Sequence, residues 1–93
     1  MDMITVDATV RNFAGIHVRP SGVIIKAAAG YPGTIQVSGK GMDINLKNIM
    51  GLIAMGLQKG DSVQISVSGP DEEKTAEELK SLFEKEFDFP PRE

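Results

Sequence analysis

Apolar side chains recur at every second position in four stretches of the chain. Ile4, Val6, Ala8 and Val10 alternate with Thr5, Asp7 and Thr9, the pattern of a strand with one buried face. Thr34-Ile35-Gln36-Val37-Ser38 and Met42-Asp43-Ile44-Asn45-Leu46 alternate in the same way, and Gly39-Lys40-Gly41 between them supplies the glycines of a tight hairpin turn. Val63, Ile65 and Val67, separated by Gln64 and Ser66, form a fourth strand that stops at Gly69-Pro70.

Between the strands the period changes. From His17 to Ala29 the apolar spacing is helical, Pro20 is tolerated because it falls in the first turn, and Gly30 marks the stop. Asn48 to Met55 reads as a short helix bounded by Gly56 and Lys59-Gly60-Asp61. A last helix is expected from Pro70, with Asp71, Glu72 and Glu73 favourably placed in its first turn and Ala76, Leu79, Leu82, Phe83 and Phe87 as its buried stripe. Asp88 to Glu93, with Pro90-Pro91, cannot continue it.

The order is β-α-β-β-α-β-α. Strands with a single apolar face need cover on that face only, so the expected class is α+β: an open-faced β-sandwich with a four-stranded, mostly antiparallel sheet and three helices on one face. Residues 1–93 read as one domain, with 88–93 as an irregular tail, because no linker, repeat or low-complexity stretch divides them.

Composition narrows the function. Residues 1–70 carry six Lys/Arg against four Asp/Glu and residues 71–93 carry four against nine, so the acidity belongs to the last helix. With a net charge of −3, one Tyr and no Trp, the chain lacks the basic footprint and stacking residues of a nucleic-acid binder. No cysteine is present, which removes disulfides, zinc knuckles and thiol catalysis, and with one histidine the sequence shows no metal-ligand set. A basic stretch followed by an apolar run is missing from the N-terminus, and no segment is long enough to span a bilayer; the expectation is a cytoplasmic protein without membrane insertion.

The single histidine, His17, stands in Gly15-Ile16-His17-Val18-Arg19-Pro20, after a loop glycine and at a helix start. The first amides of a helix lack internal partners and sit at the positive end of its dipole, so an anion gains hydrogen bonds and field stabilisation there. A neutral imidazole is a competent nucleophile near pH 7. In that arrangement His17 accepts a phosphoryl group, the amides of Val18 and Arg19 receive its oxygens, and the Arg19 guanidinium pairs with the growing charge. The bland alternative is that His17 only caps the helix or fills a crevice. Ser21 carries no mark of an activated nucleophile, and the carboxylates of Glu72, Glu73, Glu77 and Glu78 fit a solvated helix face.

The short helix holds more apolar residues than one face accommodates. Ile49 and Ile53, four apart, share a face and Met50 adds an adaptable contact, a combination suited to docking other proteins; alternatively Ile49, Met50, Leu52, Ile53 and Met55 all complete the core.

These two stretches, Gly-Ile-His-Val-Arg-Pro-Ser and Ile-Asn-Leu-Lys-Asn-Ile-Met-Gly-Leu-Ile-Ala-Met-Gly, together with Lys59-Gly60 and Val67-Ser68-Gly69-Pro70-Asp71-Glu72, resemble HPr, the histidine-containing phosphocarrier of the bacterial sugar phosphotransferase system. The resemblance covers nearly the whole chain and leaves out only Phe87–Glu93. It implies that His17 takes phosphate on Nδ1 from phosphorylated enzyme I, itself charged by phosphoenolpyruvate, and passes it to a sugar-specific enzyme IIA with help from Arg19. It implies a monomeric carrier with a transient phosphohistidine rather than a turnover enzyme, and no cofactor. The first helix and the short helix become one docking surface, with Ile49, Met50, Ile53 and Lys26 as contacts and Leu52 and Met55 left to the core. An alternative within the resemblance is a regulatory binding module, nitrogen-related or concerned with catabolite control, that docks through the Ile49/Ile53 face.

One departure bears on control. Many HPr proteins carry a regulatory serine at the start of the short helix, whereas here Lys47 is followed by Asn48, which has no hydroxyl to phosphorylate but remains a good helix cap. Val18, Ser21 and Ala14 also differ from residues often found in the family, which bears on partner choice between the carbohydrate and nitrogen-related branches.

Overall fold

The computed structural model describes residues 3–12, 15, 16 and 18–86, the side chains of Val18 and Arg19 excepted. Four strands, β1 (Ile4–Thr9), β2 (Thr34–Gly39), β3 (Met42–Asn45) and β4 (Ser62–Ser68), and three helices, α1 (Val18–Ala29), α2 (Ile49–Ala54) and α3 (Glu72–Phe83), follow in the order β1-α1-β2-β3-α2-β4-α3. This is the expected sequence of elements.

The strands form one sheet in the order β1-β4-β2-β3, and all three pairings are antiparallel. Register follows the alternation of the sequence. Val6, Ile65, Val37 and Ile44 stand opposite one another across all four strands on the apolar face, and Thr5, Ser66, Gln36 and Asn45 form the neighbouring row on the polar face. The Thr5 and Ser66 hydroxyls bond at 3.1 Å within that polar row.

The core lies between the apolar sheet face and the helices: Ile35, Val37, Val63, Ile65 and Val67 meet Ile24 and Ala28 of α1, Leu52 of α2, and Ala76, Leu79 and Phe83 of α3. Helix α3 packs on β1 and β4, and α1 packs on both α2 and α3. The hairpin between β2 and β3 turns on Lys40 and Gly41, both at positive φ (50° and 78°), the geometry that matches the twist of the flanking strands.

Helix α3 begins later than its proline suggests. Asp71 is its N-cap residue, held in the left-handed region (φ 49°, ψ 39°) without a side-chain cap, so Pro70 stands outside the helix. The chain leaves β4 through Gly69 at φ 147°, and the Glu72 carboxylate turns back to accept from the Gly69 amide at 3.3 Å. The buried stripe is Ala76, Leu79 and Phe83, with Leu82 half-buried. Phe87 and the expected irregular tail of residues 88–93 lie outside the described residues.

Candidate functional site

The loop between β1 and α1 is held from below by the segment 56–61. Val10, fully buried, donates its amide to the Asp61 carbonyl at 2.8 Å and accepts from the Gly60 amide at 2.8 Å. Asn12 is buried too; its Nδ2 donates to the Gly15 carbonyl at 2.6 Å, and the Gly15 amide donates back to the Asn12 carbonyl at 2.9 Å. Gly15 takes φ +82°, and a Cβ there would fall on the Leu57 carbonyl oxygen. That same oxygen accepts from the Ile16 amide at 2.9 Å, and the Ile16 side chain is 2% exposed. Ile16 is therefore anchored by backbone and side chain together.

Two residues on, Val18 opens α1. The sequence thus places position 17 between an anchored core residue and the first residue of a twelve-residue helix whose leading amides have no intrahelical partner. His17 itself lies outside the described residues, as do the side chains of Val18 and Arg19 and the whole of Phe13 and Ala14. Beyond them, Pro20, Ser21, Ile24 and Ala28 turn inward, while Val23 and Lys26 are exposed.

Helix α2 adjoins α1. Its cap is Asn48, whose Oδ1 accepts from the Gly51 amide at 3.1 Å, and Gly51 fits closely beside the Asn48 side chain and Ile44. Leu52 and Met55 belong to the core, Ile49 and Ile53 are half-buried, and Met50 is 69% exposed. The five apolar residues do not all complete the core; Leu52 and Met55 do, the two that the family resemblance leaves to it.

Sequence reasoning passed over Asn12, Leu57 and the pair Lys40–Asp61. Lys40 Nζ lies 3.3 Å from Asp61 Oδ2 and donates to the Gly56 carbonyl at 3.2 Å. The same Asp61 oxygen accepts from the Gln58 amide at 2.8 Å. The Asp61 pKa lies below its ordinary value: the Gln58 amide lowers it most, burial opposes that, and the Lys40 hydrogen bond and charge lower it further. The one available signal was a polar residue three positions before or after the backbone group it closes, in Asn12-x-x-Gly15 and Gln58-x-x-Asp61. No group of three or more potential metal ligands occurs among the described residues.

An open-faced α+β sandwich with a pinned loop feeding a helix start is the class that fold and site define together. The family model described as the PTS HPr component phosphorylation site matches residues 4–85, and the chain belongs to that HPr phosphocarrier family. It is 33% identical over 86 residues to a phosphocarrier protein HPr of Treponema pallidum, covering 92% of this chain and 98% of that one. Among solved structures it is similar to HPr-C-His from Thermoanaerobacter tengcongensis, with a TM-score of 0.73, 31% identity, and 94% of this chain and 100% of that one covered. The fold is also that of the phosphocarrier protein HPr from Bacillus anthracis, with a TM-score of 0.85 at 24% identity and coverage of 90% and 100%. No helix among the described residues is long and apolar enough to cross a membrane.

Proposed function

We propose that the chain carries phosphoryl groups on His17, taking them from phosphorylated enzyme I and delivering them to a sugar-specific enzyme IIA. The observation that carries this reading is the anchored Ile16 immediately before the histidine and the start of α1 immediately after it, in a chain of the HPr family. The unprotonated Nδ1 of His17 attacks phosphorus while the donor's bond to phosphorus breaks, and the reverse exchange with enzyme IIA returns the imidazole. The amides of Val18 and Arg19 and the Arg19 guanidinium receive the phosphoryl oxygens, offering charge-assisted hydrogen bonds where negative charge accumulates.

Docking falls to the surface beside that site. Met50, Ile49 and Ile53 of α2 and Lys26 of α1 supply its apolar and basic contacts; the exposure of Met50, large and apolar, supports the assignment. Asn48 occupies the place of the regulatory serine and spends its side chain on capping α2, so kinase control at this position is absent.

The test is incubation with enzyme I and phosphoenolpyruvate. The chain gains one phosphoryl group, labile in acid and stable in base, and His17→Ala gains none. Persistent labelling of that variant overturns the reading.

A further inference from the structure

We propose that Asp61 is a positioning residue for phosphoryl uptake: it shapes the segment 56–61 on which the loop leading to His17 rests. The inference depends on the role of His17 proposed above. Its basis is the order in which the contacts connect. The Asp61 carboxylate accepts from the Gln58 amide, and the Asp61 amide donates to the Gln58 carbonyl at 2.9 Å, so residues 58–61 close into a compact turn held from both sides. Leu57, immediately before that turn and 1% exposed, presents the carbonyl that accepts from Ile16 and meets Gly15. At the other end of the turn, Gly60 and Asp61 take both backbone bonds of Val10. The loop 10–16 is therefore gripped at its two ends by one short segment.

Lys40 ties that segment to the sheet. From the hairpin turn it reaches both the Asp61 carboxylate and the Gly56 carbonyl, contacting the segment at each extremity. Lys40 adopts positive φ, a conformation unusual for a residue with a Cβ. Asp61 acts through Leu57 and Ile16 on the residue that follows them.

Three full-length variants test this. Asp61→Ala removes both side-chain contacts, Asp61→Asn keeps an oxygen for the Gln58 amide but drops the charge, and Lys40→Ala removes the tie to the hairpin. In Asp61→Ala the Ile16 amide should exchange its hydrogen at least about tenfold faster while the Ile65 and Val37 amides keep their wild-type rates. The imidazole pKa of His17, followed by NMR, should move, and phosphoryl uptake from enzyme I should slow about tenfold, since small misplacements of a nucleophile carry penalties of that order. Asp61→Asn should recover most of each change, and Lys40→Ala should fall between wild type and Asp61→Ala. Wild-type Ile16 exchange and His17 titration in Asp61→Ala overturn the proposal, and so does an Asp61→Asn chain as impaired as Asp61→Ala. If Asp61→Ala does not fold, Lys40→Ala decides: faster Ile16 exchange with a moved His17 titration supports the proposal, and wild-type values of both overturn it. A wild-type chain that takes up no phosphate refutes the role of His17, while the exchange and titration measurements still judge whether Asp61 sets the loop.

Discussion

The Thr9 amide donates to the Glu84 carboxylate at 3.0 Å, joining residues 75 positions apart. Its neighbour Lys80 pairs with Glu84 at 3.0 Å and donates to the Asp7 carbonyl at 2.7 Å. Among the described residues strand β1 is a sheet edge paired only with β4, and Asp7 and Thr9 direct these backbone groups away from β4. The end of α3 therefore satisfies groups that would otherwise invite another strand. Glu84→Ala should lower unfolding stability at neutral pH by about 1–2 kcal/mol, the worth of a partly exposed charge-assisted hydrogen bond, measured by urea denaturation. Lys80→Ala/Glu84→Ala should in addition self-associate more readily than wild type in sedimentation experiments.

The same carboxylate makes stability depend on pH. The Thr9 amide, and after it Lys80, hold the Glu84 pKa below its ordinary value, and the Gln58 amide does so for Asp61. Each group in the folded chain thus binds a proton less readily than in the unfolded chain, where a glutamate titrates near about 4.3 and an aspartate near about 3.9. Their stabilisation is fully present above those values and disappears as pH falls through the lowered folded pKa. The stability difference between wild type and Glu84→Gln should accordingly be constant from pH 7 to about 5 and shrink below about 4. A difference that grows on acidification contradicts the assignment.

Gly15 sits where the loop has least room. At φ +82° and against the Leu57 carbonyl, Gly15→Ala adds both left-handed strain and a backbone clash. The loss should be about 2 kcal/mol or more, visible as a lower urea midpoint. Because the clash falls on the acceptor of the Ile16 amide, that amide should lose protection along with stability.

Much of this architecture is legible in the sequence because burial on one face imposes a period. That Val6, Ile65, Val37 and Ile44 face the core while Thr5, Ser66, Gln36 and Asn45 face away follows from alternation, but the strand order that lines them up does not. The division of α2 between Leu52 and Met50 is implied by the family resemblance, while helical spacing leaves it open. Contacts with no period stay hidden. The Lys40–Asp61 pair joins two loops through one side chain reaching another, and nothing in Lys59-Gly60-Asp61 beyond a turn announces it. Pro70 misleads for a related reason: its ring suits a first helical turn, but the exit from β4 through Gly69 and a left-handed Asp71 delays the helix to Glu72. His17 and Arg19 stand out through residue chemistry and family resemblance, whereas the frame that pins the preceding residue comes only from tertiary hydrogen bonds.

Ser21 is fully buried in the first turns of α1, and among the described residues its hydroxyl has no hydrogen-bond partner. A buried polar atom left unpaired carries its full desolvation cost, so removing it without enlarging the side chain should help. Alanine also has the higher helix propensity. Ser21→Ala should be neutral or stabilising by up to about 1 kcal/mol, measured by thermal or urea unfolding, and a loss of that size shows that the hydroxyl is satisfied in solution.

Met50 and Leu52, two residues apart on α2, allow the proposed docking role to be tested apart from folding. Leu52 is fully buried, and Leu52→Ala should cost about 2–5 kcal/mol through lost burial and the cavity left behind. Met50 is 69% exposed, so Met50→Glu removes little from the core and should change stability by no more than about 0.5 kcal/mol. What it does remove is apolar surface next to the proposed phosphate site, and it puts a negative charge there. Phosphoryl uptake by Met50→Glu should therefore show a raised KM for this chain as substrate of enzyme I, with kcat little changed, because the histidine and its support are untouched. An unchanged KM with a lowered kcat would mean that Met50 acts on the chemistry, and unchanged values of both would remove it from the docking surface.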